Sequence, residues 1–128
     1  MACVDTNFLI DLAKKDKDAR AKMDEMLQNN ESVYTTTISL AEYFAGAYGS
    51  KDKNAIEHAR RFLGSFASIT LDDRSAMQYG ELYNSLRSNS IGDRDLFIAS
   101  IARANGQTLI TRNVKHFERV PGLKVESW

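Results

Sequence analysis

Cysteine and proline are nearly missing from these 128 residues: Cys3 and Pro121 stand alone. A single cysteine excludes an intrachain disulfide framework and a zinc ribbon, and it fits a reducing, intracellular setting. No run approaches the roughly 20 apolar residues of a membrane span. The first residues lack the basic stretch and apolar run of a signal peptide. A soluble, cytoplasmic protein with no membrane partner is therefore expected. Charge of one sign is also lacking, since Lys+Arg and Asp+Glu both number 17 and the formal net charge is zero. Any nucleic-acid partner must be held by local patches rather than by the field of the whole chain. No internal repeat, low-complexity tract or linker breaks the sequence.

What is present suffices for one domain spanning residues 1–128. Hydrophobic residues make up 43% of the chain, enough for a core without covalent staples. Short strand-like runs alternate with longer helical ones. Strands are expected at Met1–Val4, Val33–Thr35, Ser68–Leu71, Thr108–Thr111 and Leu123–Glu126. Helical spacing of apolar residues predicts helices at Phe8–Ala13, Ala19–Gln28, Ile38–Tyr48, Asn54–Phe66, Arg74–Arg87 and Asp93–Ala104, with a helical turn at Val114–Phe117. The charged run Lys14–Asp18 reads as a turn, and Asn105-Gly106 as a helix stop. This alternation predicts an α/β fold with a parallel sheet covered on both faces. Ligands of such sheets bind beyond the carboxyl ends of the strands, at the switch point of strand order. Asp5-Thr6-Asn7 and Thr111-Arg112-Asn113 occupy such strand ends.

Three acids carry the chemistry. Asp5 closes the first strand, where it is placed to cap the following helix with one oxygen and to face a metal with the other. Glu42 has Ile38, Ala45 and Gly46 as its neighbours on one helix face, so it projects from the side turned toward the protein. A lone ionised carboxylate there is costly unless it is paired or binds a metal; at the edge of that face it can also reach water. Asp95 heads the stripe Ile98, Ala99, Ala102, which points it toward the sheet, although a first-turn acid also suits the helix dipole. Asp93 has two readings. Ser90-Ile91-Gly92-Asp93 matches a capping box with Asp93 as the reciprocal acid, and metal ligation is the alternative. No basic partner is evident beside Asp5, Glu42 and Asp95, so their mutual repulsion calls for a cation or for protonation. An all-oxygen set suits Mg²⁺ or Mn²⁺ and disfavours zinc, and such an ion activates water and stabilises a leaving oxygen.

These residues resemble the PIN-domain nucleases, specifically the VapC-type toxins of prokaryotic toxin–antitoxin pairs. The resemblance covers nearly the whole chain. It rests on Val4-Asp5-Thr6-Asn7, Ile38-Ser39-Leu40-Ala41-Glu42, Asp95-Leu96-Phe97-Ile98-Ala99 with Ala102, Leu109-Ile110-Thr111-Arg112-Asn113, His116-Phe117 and the final Trp128. It implies a three-layer PIN-like fold with a five-stranded parallel sheet flanked by helices, and Mg²⁺- or Mn²⁺-dependent endoribonuclease activity. Carried over position by position, the acids are Asp5, Glu42 and Asp95. Where many relatives have a fourth acid, this chain has Asn113, which leaves a second metal in question and Asp93 as a substitute.

The mechanism that follows has Asp5 and Asp95 holding the metal. Glu42 binds it or takes a proton from the attacking water, and Asn113 and Thr111 position water or phosphate. Attack on an RNA phosphodiester leaves a 5′-phosphate and a 3′-hydroxyl. Arg94, Arg112, Lys115 and His116 are candidate contacts to backbone phosphates, or else ordinary solvated surface. The resemblance further implies a homodimer and a cognate VapB-type antitoxin, for which Tyr43, Phe44 and Tyr48 are candidate apolar contacts. The alternatives are a PIN nuclease of RNA maturation, a non-catalytic PIN-like binding module, and a receiver-like Mg²⁺-binding domain. The last would want an acidic pair at the end of the first strand, where Asp5 stands alone.

Overall fold

The computed structural model describes residues 1–128. In chain order its elements are β1 (Ala2–Val4), α1 (Thr6–Ala13), α2 (Lys17–Gln28), β2 (Val33–Thr36), α3 (Thr37–Tyr48) and α4 (Ala55–Leu63). There follow β3 (Ala67–Ile69), α5 (Asp73–Ser85), α6 (Asp93–Ala104), β4 (Thr108–Ile110), α7 (Val114–Phe117) and β5 (Val125–Glu126). Each expected element forms, and the differences lie at the ends. The first helix starts at Thr6 because Asp5 caps it, with Asp5 Oδ1 accepting from the Phe8 N–H at 2.9 Å. The second starts inside the charged run expected as a turn, because Asp16 caps it by accepting from the Ala19 N–H at 3.0 Å.

All five strands are parallel, in the order β3-β2-β1-β4-β5. The α/β class and the five-stranded parallel sheet flanked by helices are thus as expected. From β1 the chain steps outward to β2 and β3, then returns to β4 on the other side of β1. The switch point therefore falls between β1 and β4, where Val4 faces Ile110.

Side-chain alternation along the two central strands divides the core in two. Cys3 and Leu109 face one way, onto Leu82, Leu96, Ile98, Ala99, Ala102 and Phe117 of α5, α6 and α7. Ala2, Val4 and Ile110 face the other way, onto Phe8, Leu9, Ala19, Met26 and Leu63. Each fully buried large side chain here contributes about 1.5–3 kcal/mol. Both faces are covered, which is why these strands read as continuous apolar runs rather than alternating ones. Stacking of Tyr79 on Phe97, with centroids 4.1 Å apart, joins α5 to α6.

The capping box expected at Ser90–Asp93 does not form. Gly92 holds the N-cap position of α6 with φ +89°, a conformation suited to glycine, and no side chain caps the helix. Ser90 Oγ instead accepts from the Gly92 N–H, and Asp93 Oδ1 accepts from the Tyr79 hydroxyl at 3.2 Å.

Candidate functional site

A cleft of about 270 Å³ opens beyond the carboxyl end of β1, lined by Asp5, Thr6, Asn7, Ile10, Glu42, Arg94, Asp95 and Ile98. Three elements deliver its acids. Asp5 directly follows β1 as the N-cap of α1 and is buried, at 6% exposure, two residues after Cys3. Glu42 comes from the middle of α3. Asp95 sits in the first turn of α6, above the buried residues Ile98, Ala99 and Ala102. The acids that pattern alone placed at inward positions therefore do share one cleft.

Burial is the main influence on Asp5 and pushes its carboxyl up to about 6. Hydrogen bonds from the Thr111 side chain and the Phe8 N–H oppose that rise, and the charges of Asp95 and Glu42 add to it. Asp95 is also raised, first by burial and further by Glu42, while the charges of His116 and Arg94 and a hydrogen bond from His116 pull it down. Cys3, fully buried, has its thiol pushed up to about 12, so it supplies no nucleophile.

The acids do have basic neighbours, contrary to the expectation from sequence. Arg94 Nη1 lies 3.4 Å from Glu42 Oε2, and His116 Nε2 lies 2.9 Å from Asp95 Oδ2. Thr6 donates its hydroxyl to Glu42 Oε1. Neither basic residue lies within one helical turn of the acid it meets, so no local spacing rule brings the pairs together. Thr6 belongs to the polar cluster Asp5-Thr6-Asn7 at the end of the first strand, but nothing in the sequence paired it with Glu42.

The remaining candidates divide. Thr111 is fully buried; its hydroxyl supports Asp5 and accepts from the Asn113 N–H at 3.1 Å. Its place directly after β4, beside the end of β1, is the reason. Arg112 turns away from the cleft to Asp11, Asp16 and Asp18, at 3.3–3.8 Å, and covers the Trp128 ring at 5.0 Å. Asn113 and Lys115 are exposed at α7, outside the residues lining the cleft. Asp93 also stands outside. It lies two residues, roughly 200° of helix rotation, from Asp95, which turns it toward Tyr79.

No three His, Cys, Asp or Glu side chains converge closely enough to grip an ion unaided. The donor set still suits one hard cation. Its members are oxygen ligands, Asp5 and Asp95 are raised by burial first and by the charge of Glu42 after it, and the cleft has room for retained water. Mg²⁺ keeps several waters and takes only one or two carboxylates directly.

A family model described as PIN domain matches residues 2–123. Ribonuclease VapC2 of Rickettsia felis is 34% identical, over 98% of this chain and 96% of its own length. Ribonuclease VapC1 of Haemophilus influenzae is 30% identical over the same shares. The crystal structure of VapBC2 from Rickettsia felis, bound to a DNA fragment from its promoter, matches with a TM-score of 0.88. It is 33% identical and covers 99% of this chain and 98% of that one.

Proposed function

The chain belongs to the PIN-domain family, and we propose that it is an Mg²⁺- or Mn²⁺-dependent endoribonuclease acting as the toxin of a VapBC-type pair. The observation that carries this reading is the meeting of Asp5, Glu42 and Asp95 in one cleft at the switch point of the sheet. The names of the similar proteins, ribonucleases of the VapC kind, support the same substrate class.

In this mechanism Asp5 and Asp95 would hold the cation, with Glu42 beside them in the same cleft. When bound, the cation supplies activation of water and neutralises charge gathering on the phosphate oxygens. Glu42, held by Thr6, is placed to accept a proton from the attacking water. Arg94 stands at the rim with its side chain 75% exposed, free to exchange Glu42 for a backbone phosphate. Asp5 and Ile98 are buried at the inner wall of the cleft, where lower solvent exposure strengthens charge interactions. The products are a 5′-phosphate and a 3′-hydroxyl.

The partners are a VapB-type antitoxin and a second copy of the chain. A mainly apolar groove of about 520 Å³ continues from Glu42 past Tyr43 and Gly46 to His58, and it supports an antitoxin segment lying beside the acids. Exposed Met77 and Tyr83 on α5 offer apolar surface for self-association.

The test is cleavage of RNA by the purified protein with Mg²⁺ or Mn²⁺ and with chelator. Cation-dependent cleavage that Asp5→Asn and Asp95→Asn abolish is expected. Undiminished cleavage by those variants refutes the site. Growth arrest on expression, relieved by a small neighbouring open reading frame, tests the toxin role.

A further inference from the structure

His116 reaches the site from α7, with its side chain 21% exposed and its ring edge-on to Phe117 at 5.2 Å. Its Nε2 lies 2.9 Å from Asp95 Oδ2 and 2.8 Å from the Ile91 carbonyl oxygen. Both neighbours are acceptors, so Nε2 carries a hydrogen directed between them. Ile91 is 5% exposed and leads into Gly92, whose φ of +89° sets the entry to α6. One nitrogen thus joins three things: the acid of the cleft, the turn before its helix, and the short helix after β4. Asp95 Oδ1 takes no hydrogen bond from the protein, while Oδ2 is held.

We propose that His116 is a positioning residue for this cleft, fixing the Asp95 carboxylate so that Oδ1 is presented to a divalent cation. The inference rests on reading the cleft as a cation site. It removes His116 from the phosphate-contact role suggested by its position in the sequence. A carboxylate on a helix end rotates freely about its last bonds; anchoring one oxygen leaves the other a single direction. Hydrogen bonds that orient a ligand in this way are worth about ten- to hundredfold in metal affinity.

The experiment is Mn²⁺ binding by calorimetry, without RNA, on the wild type, His116→Phe and His116→Gln, with thermal melts in chelator as a check on folding. His116→Phe keeps an aromatic ring and loses the N–H; it is expected to bind Mn²⁺ about ten- to hundredfold more weakly. His116→Gln places two amide hydrogens near the Nε2 position and is expected to recover most of that loss. Lower melting temperatures with unchanged Mn²⁺ affinity would mean packing alone and overturn the proposal.

A second measurement needs no variant at position 116. The chain has two histidines, and exposed His58 serves as an internal reference in ring-nitrogen NMR. The His116 ring is expected to carry its hydrogen on Nε2, with a signal that moves on adding Mg²⁺ and in Asp95→Asn. A hydrogen on Nδ1 alone, or a signal indifferent to both changes, overturns the proposal. If the wild type binds no Mn²⁺, the cation-site reading fails and this inference falls with it. Binding that is equal in all three proteins defeats the inference alone.

Discussion

The Thr6 hydroxyl donates to Glu42 Oε1 at 2.5 Å, spanning 36 positions of sequence and joining the turn after β1 to the middle of α3. A hydrogen bond to a charged group is worth about 1.5–3 kcal/mol. Thr6→Val is expected to lower kcat for RNA cleavage about tenfold or more, since about 1.4 kcal/mol is a factor of ten. KM should change little and Thr6→Ser should retain most activity. Steady-state kinetics on a short RNA checks this, and a Thr6→Val enzyme with unchanged kcat contradicts it.

Asp5 gives the metal-free protein a pH dependence of definite sign. Its carboxyl is raised in the fold to about 6, mainly by burial, so between about 4 and 6 the folded chain holds more protons than the unfolded one. Stability from this group therefore falls as pH rises through that window and levels off above it. The full effect is of order 3 kcal/mol, from about 1.4 kcal/mol per unit. Asp5→Asn, whose amide oxygen still caps α1, is expected to be more stable than the wild type at pH 8 in chelator and to lose that advantage near pH 4. Denaturant titrations at the two pH values measure it. Added Mn²⁺ should stabilise the wild type and leave the variant unmoved.

Asp93 separates a ligand from a bystander. With its carboxylate on the Tyr79 hydroxyl, Asp93→Asn is expected to leave RNA cleavage and Mn²⁺ affinity within about twofold of wild type, far inside the ten- to hundredfold loss expected on removing a ligand's support. A large loss in Mn²⁺ affinity would return Asp93 to the metal.

Arg112 is a clamp in this structure. It meets three carboxylates of α1, α2 and the turn between them, and it covers Trp128, which packs edge-on against Phe8 at 5.1 Å. The ion pairs are half exposed and each is worth under about 1 kcal/mol. The cation–π contact adds about 0.5–2 kcal/mol. Arg112→Ala is expected to lower stability by about 1–3 kcal/mol on those figures while leaving KM for RNA near wild type. Trp128→Ala should destabilise at least as much. Thermal melts and RNA kinetics on both variants decide between clamp and phosphate contact.

The sheet, Asp5 and Asp95 were legible for a shared reason: burial leaves a trace in residue spacing. An acid heading the buried stripe Ile98, Ala99 and Ala102 has its direction fixed by helix phase, whereas Glu42 reaches the cleft although Ala45 and Gly46, its neighbours on that face, are exposed. Partners across elements leave no such trace. Nothing in local spacing says that Arg94 turns to Glu42, that His116 turns to Asp95, or that Thr111 is sealed behind Asp5. Arg112 is the sharpest case: it looked like a free cation at a strand end, yet its partners are Asp11 of the first helix and Asp16 and Asp18 of the charged run Lys14–Asp18. The capping box at Ser90–Asp93 misled because its pattern ignores backbone: Gly92, with positive φ, begins the helix two residues beyond the serine.

The strand order also sets when the cleft can be completed as the chain is made. β1 is synthesised first, but its neighbour at the switch point is β4, and Asp5 waits for Thr111, Asp95 and His116 before it has a complete surround. During most of synthesis an emerging chain therefore holds its first acid with no cleft around it. Long-range parallel pairing is also slow to form. The surround of Asp5 is complete only once α7, which brings His116 to Asp95, has been made, late in synthesis.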